Sequence, residues 1–193
     1  VTVSISVGAA VEEQLANRSF ELGAVIVEAN PSVPGSPGSV TALDSWGGSG
    51  ARFGFIGTTA YPPTDGSRLV VFNGGYNGGS STYTGTLTQT FGTVPGQTYT
   101  VSLEAGIIAA TSGTKNQRLE VKVDGASTLL TQQVLLTTSV VGTVQWKAGG
   151  ASFTFVADGT TATLTLRDNS TGLTGNTNSD MVVDEISVTG PSP

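Results

Sequence analysis

Hydrophobic and polar residues alternate with a period of two along most of this chain. In residues 97–105, Tyr99, Val101, Leu103 and Ala105 fall on one side, and Thr98, Thr100, Ser102 and Glu104 on the other. Residues 119–124 set Leu119, Val121 and Val123 against Glu120, Lys122 and Asp124. Residues 152–157 group Phe153, Phe155 and Ala157, and residues 161–168 oppose Ala162, Leu164 and Leu166 to Thr163, Thr165 and Arg167. A strand sends successive side chains to opposite faces, so each pattern predicts a half-buried antiparallel strand. Weaker alternation predicts strands over 2–7, 19–27, 52–56, 68–73, 85–91, 128–136 and 181–189. The turn dipeptides Asp65-Gly66, Pro95-Gly96, Asp124-Gly125 and Asp158-Gly159 separate several of them. No stretch sustains a 3.6-residue period, and residues 12–16 have room for one helical turn at most. Roughly ten short strands at this spacing predict an all-β protein, a β-sandwich of the jelly-roll type.

Two polar segments interrupt the pattern. Residues 30–50 hold three prolines among many Gly and Ser, and residues 73–81 read NGGYNGGSS. In a sandwich, long loops gather at the ends, which makes these the first places to look for a site. No linker divides the 193 residues, so residues 1–193 read as one domain, with a core over about 15–189 and residues 190–193 as the start of a linker.

Composition removes whole classes of chemistry. With no His and no Cys there is no imidazole base, no thiol nucleophile and no nitrogen- or sulfur-ligated metal. Lys and Arg number 8 against 14 acidic residues, for a net charge of −6, and the basic residues are scattered. Phosphate binding needs them clustered, so nucleic acid is excluded as a partner. The mean hydropathy of +0.11 argues against disorder. No apolar run reaches membrane-spanning length, so no membrane insertion is expected.

Several of these segments carry a resemblance. Asn17-Arg18-Ser19-Phe20-Glu21 looks like the Asn-x-x-Phe-Glu opening of galactose-binding-like jelly-roll domains, with Trp46 at a distance where that family often has a Trp. Residues 87–91 and 94–101, LTQTF and VPGQTYTV, are similar to its QTF…PGQTYTVSF signature. Residues 153–155 and 161–166 resemble a following strand pair, and residues 182–188, VVDEISV, its closing LDDVSV. The ordered set covers roughly residues 15–189. It departs from the family in the Gly-rich insert at 73–81 and in Glu185, which replaces the second Asp of the closing motif. Members of this group include plant cell-wall domains and bacterial carbohydrate-binding modules attached to polysaccharide-degrading enzymes. The resemblance therefore implies a noncatalytic module, secreted or on the cell surface, that binds a polysaccharide or oligosaccharide and belongs to a larger protein.

It also implies a structural calcium where the first and last strands meet. Glu21 and Asp184 would be its side-chain ligands, with Ser19 and the turn at Asp65, Gly66 and Ser67 supplying carbonyls. Calcium takes six to eight oxygens, which such groups can furnish. Read from the residues alone, Asp184 shares strand parity with Val182, Ile186 and Val188, an apolar face on which a carboxylate needs a partner. An Arg such as Arg18, Arg52 or Arg68, a cation, or loop amides all satisfy that need, and the sequence leaves these open.

Sugar recognition combines an aromatic face with planar polar groups. Tyr76, flanked by Asn73 and Asn77 in the Gly-rich loop, is the best cluster for it; Trp46 and Trp146, each close to a Gly pair, complete the candidates. Trp46 is more readily read as core in this fold, Trp146 also as core edge, and Tyr76 with Asn77 also as a loop tip. A carboxylate-pair glycosidase needs two carboxyls across a cleft. Asp180, Asp184 and Glu185 are the nearest cluster in sequence, and alternation sends 184 and 185 to opposite faces. The reading adopted is a polysaccharide-binding module using loops at one end; the competing reading is a structural or protein-interaction module of the cell surface without sugar affinity.

Overall fold

The computed structural model describes residues 10–23, 43–49, 53–57, 59–72 and 85–193. The strand expected at 2–7, most of the segment 30–50 and all of 73–81 lie outside them. Among the described residues every regular element is a strand: β1 Val11–Glu13, β2 Gly47–Ser49, β3 Phe53–Ile56, β4 Arg68–Phe72, β5 Thr86–Gly92, β6 Thr98–Ala109, β7 Lys115–Asp124, β8 Thr128–Thr138, β9 Val144–Trp146, β10 Ala151–Val156, β11 Thr161–Asp168 and β12 Ser179–Pro191.

These strands form two antiparallel sheets of a jelly-roll β-sandwich. The first sheet runs β10-β6-β12-β4-β3, with β1 beside the far part of β12 and β9 beside the far part of β6. The second runs β2-β5-β11-β7-β8. The helical turn allowed at 12–16 is absent, because Val11–Glu13 pairs with the end of β12, Val11 opposite Pro191 and Glu13 opposite Thr189. The Glu13 carboxylate then accepts the Leu15 and Val188 amides at 2.9 and 3.0 Å and the Ser187 hydroxyl. Gly190 and Pro191, expected to begin a linker, are thus the last rungs of a sheet.

The alternation read from the sequence is what fills the space between the sheets. Tyr99, Val101, Leu103 and Ala105 of β6 join Leu119, Val121 and Val123 of β7 and Leu164 and Leu166 of β11 in one buried cluster. Tyr99 stacks on Phe155, with ring centroids 5.5 Å apart.

The parity expected for Asp184 fails. The β12–β6 register shifts between Asp184 and Ser187, a β-bulge in which Glu185 takes a φ of 46°. One extra residue reverses the alternation beyond it. Met181, Val183, Ile186 and Val188 face the inter-sheet core, whereas Val182 belongs to a second, smaller cluster with Tyr61, Leu69, Val71, Ile108 and Val144. This cluster lies on the outer face of the first sheet, against the segment that joins β3 to β4. Asp184 stands on that outer side, opposite Glu104 of β6.

Candidate functional site

Ser19, Glu21, Ser67 and Asp184, the four expected calcium ligands, do meet around one loop. The two carboxylates grip residues 64–68 from either side. Glu21 Oε1 accepts the amides of Ser67 and Arg68, both at 2.8 Å, and Oε2 accepts the Ser67 hydroxyl at 2.7 Å. Asp184 Oδ2 accepts the Thr64 amide at 2.7 Å, the Thr64 hydroxyl at 2.8 Å and the Asp65 amide at 3.0 Å. Its Oδ1 accepts the Glu185 amide at 2.8 Å. Ser19 contributes its hydroxyl, to Asp65 Oδ2 at 2.6 Å. Burial pushes the Asp184 carboxyl above its ordinary range, while these donors pull it back.

A calcium ion requires lone pairs that converge on it. Here the oxygens of Glu21 and Asp184 face N–H and O–H donors, and the Arg68 guanidinium donates to the Phe20 carbonyl at 3.2 Å. No group of three or more acidic, His or Cys side chains able to hold a metal occurs among the described residues. In this arrangement the two carboxylates cap loop amides and hydroxyls, one of the alternatives the sequence leaves open for Asp184. Of the arginines considered as partners for Asp184, Arg18 pairs loosely with Glu185 at 3.7 Å, and Arg52 lies outside the described residues.

The candidate sugar contacts divide. Tyr76, Asn73 and Asn77 lie outside the described residues. Trp46 is only 4% exposed, packs on Phe20 at 5.4 Å and donates its indole N–H to the Asn17 carbonyl at 2.8 Å. Its ring is core and offers no free face.

Trp146 is half-buried on β9. Its indole lies across Gly106, the residue opposite it on β6: a Cβ there would fall 2.9 Å from the ring, so only glycine permits the approach. The indole N–H donates to the Pro62 carbonyl at 3.1 Å, which fixes the ring's orientation. Beside it a groove of about 350 Å3 opens between β8 and β9, lined by Leu135, Thr137, Gln145, Trp146 and Lys147 over Ile107 and Leu136. Leu135 is 55% exposed. The concavity is thus bordered by residues that carry an indole, an aliphatic chain, a planar amide and a hydroxyl, while the Lys147 ammonium donates to the Gly150 carbonyl at 2.8 Å and the Gln145 amide to the Val144 carbonyl at 3.1 Å. Residue types of this kind suit the apolar and the hydroxyl faces of a sugar ring. Gln145, Lys147, Leu135 and Thr137 were not legible as site residues in the sequence. The one signal was the QWK run before a Gly pair, and its partner residues come from a strand edge across the sandwich.

No family model matches the sequence, and no curated protein matches it. Solved structures match the fold. TmCBM61, solved in complex with β-1,4-galactotriose, superposes with a TM-score of 0.55 at 14% identity, over 92% of this chain and 97% of that one. The arabinose-bound MgGH51 α-L-arabinofuranosidase gives 0.54 at 15% identity over 94% of this chain, which spans about a quarter of the enzyme's length, 27%. The CBM22-1-CBM22-2 tandem domain of Paenibacillus barcinonensis Xyn10C gives 0.50 at 13% identity, over 98% of this chain and 48% of that one. At these identities the likeness is one of fold: the chain shares the β-sandwich architecture of carbohydrate-binding modules.

Proposed function

We propose that this chain is a noncatalytic carbohydrate-binding module, working outside the cell as part of a larger protein, and that it holds a neutral polysaccharide in the groove between β8 and β9. The observation that carries the reading is the concavity lined by Trp146, Gln145, Lys147, Thr137 and Leu135. The fold supports it, since one neighbour of the same architecture was solved with β-1,4-galactotriose bound. The net charge of −6 favours neutral over anionic ligands. The carboxylate clip on residues 64–68 serves the scaffold in this reading and holds by hydrogen bonds.

Affinity electrophoresis on galactan, arabinan, xylan and algal polysaccharides tests the proposal, with Trp146→Ala and Tyr76→Ala beside the wild type. Retardation by a neutral polysaccharide that Trp146→Ala reduces about tenfold or more supports the groove. Loss with Tyr76→Ala alone moves the site to the loop that the sequence favoured. No retardation on any of them leaves the structural-module reading standing instead.

A further inference from the structure

The turn after β9 separates two cavities. Residues 145–148 line the Trp146 groove, and residues 149–152 line a second cavity of about 230 Å3 together with Arg18, Ser102, Leu103, Glu104, Glu185 and Ser187. Its walls come from the outer face of the first sheet. Ser102 and Glu104 share that face of β6 with Gly106, over which the Trp146 indole lies, so Glu104 stands about 7 Å along the strand from the aromatic platform.

The bulge in β12 makes this cavity. Regular alternation would send Glu185 away from Asp184, into the inter-sheet core. The left-handed Glu185 instead lines the same cavity as Glu104. Gly150 sits at φ +59° with Glu104 Oε1 only 2.8 Å from where a Cβ would be, so the wall there is bare backbone.

The polar groups around this cavity have unused capacity. Among the described residues, Glu104, Ser102 and Ser152 make no side-chain hydrogen bond, and Glu185 has only the 3.7 Å pairing with Arg18. Burial, with repulsion from Glu185, holds the Glu104 carboxyl above its ordinary range, and Lys147 pulls it back. Two carboxylates, a guanidinium and two free hydroxyls around a void of this size are the acceptor and donor set for vicinal hydroxyls: a carboxylate accepts from two neighbouring O–H groups and Arg donates to a ring or hydroxyl oxygen.

We propose that the cavity lined by Glu104, Glu185, Arg18, Ser102 and Ser152 is a second subsite that takes a neutral sugar unit through its hydroxyls, extending the Trp146 groove across the turn at residues 147–150. This rests on the polysaccharide reading given above. A short ligand fills the groove alone; a longer one reaches the carboxylates as well.

The test is isothermal titration of wild type, Trp146→Ala, Glu104→Gln and Glu185→Gln with neutral oligosaccharides of increasing length cut from galactan, arabinan and xylan, in buffer with EDTA. Neither Gln substitution removes an internal hydrogen bond, so thermal melting should show all four proteins folded. The expected result is that wild-type affinity rises with length. Glu104→Gln and Glu185→Gln should each lose about tenfold on the longer ligands and nothing on the shortest that binds, whereas Trp146→Ala should weaken all lengths. Wild-type affinity independent of length, or Glu variants that match wild type while Trp146→Ala fails, overturns this subsite and leaves the groove. Binding that needs an added divalent cation also overturns it, since the carboxylates would then hold a metal rather than hydroxyls. No binding of any oligosaccharide brings down the polysaccharide reading and the subsite with it.

Discussion

Replacing Asp180 by asparagine should stabilise the protein, by an amount that grows with pH. Asp180 is 3% exposed at the start of β12, and its Oδ1 has no hydrogen-bond partner among the described residues. Burial, reinforced by the charge of Asp168, pushes its carboxyl from 3.8 up to about 8. In the unfolded chain the same group gives up its proton near pH 4. Between those values the native state binds more protons than the unfolded state, so this group's contribution falls as pH rises and levels off above about 8. At about 1.4 kcal/mol for each pH unit, the window from 3.8 to about 8 has a ceiling of roughly 6 kcal/mol. Relaxation around a buried charge brings the expected difference near neutral pH to about 2–3 kcal/mol.

Asparagine has the shape of the protonated acid and never ionises. Urea unfolding followed by tryptophan fluorescence, at roughly pH 4.5, 6 and 7.5, reads the difference between Asp180→Asn and wild type. Asp168, which burial also raises, is coupled to Asp180 by charge, so the difference reads Asp180 together with its effect on Asp168. The two proteins should be nearly equal at the lowest pH and diverge upward in favour of the variant. A difference that does not change with pH, or a variant less stable at about pH 7.5, would show that Asp180 is ionised in the native state and has found a partner, and the reasoning fails.

The clip on residues 64–68 gives a second prediction: EDTA should leave the melting temperature unmoved, while Glu21→Gln, which weakens the acceptor for two amides and a hydroxyl, should lower stability by about 1–2 kcal/mol. A melting temperature that drops with EDTA and recovers with calcium would restore the metal reading of Glu21 and Asp184. Tyr99→Phe should destabilise by about 1–3 kcal/mol in urea melts, because the fully buried hydroxyl accepts the Val94 amide at 2.8 Å and donates to the Pro191 carbonyl at 2.9 Å, and the variant strands both. An unchanged midpoint would mean that water replaces the phenol and that the end of β12 is not held as described.

How much of this was legible in the sequence follows from the length scale of each cause. The strand over 161–168 is found with the predicted bounds and faces, because alternation is a local property and both of its neighbours, β5 and β7, obey it too. The short strands β1, β2 and β9 have three residues each, too few for any periodicity, and they exist because an adjacent edge offered free amides and carbonyls. The bulge at Asp184–Ser187 is the costliest omission for function. A single residue out of register leaves the composition of β12 unchanged, yet it reverses which side chains face outward. It moves Ile186 and Val188 into the inter-sheet core, leaves Asp184 free to grip the β3–β4 connection, and sets Glu185 beside Glu104. An unbroken pleat would send residues 184 and 185 to opposite faces. Where the pleat breaks, the positive φ at Glu185 marks the place, and the cluster it creates is invisible to spacing because Glu104 lies on a different strand. Trp146 shows the complementary case: its type flagged it, but where its ring goes depends on Gly106, forty residues away in sequence, which lets the indole approach the outer face of the sheet closely rather than turn inward.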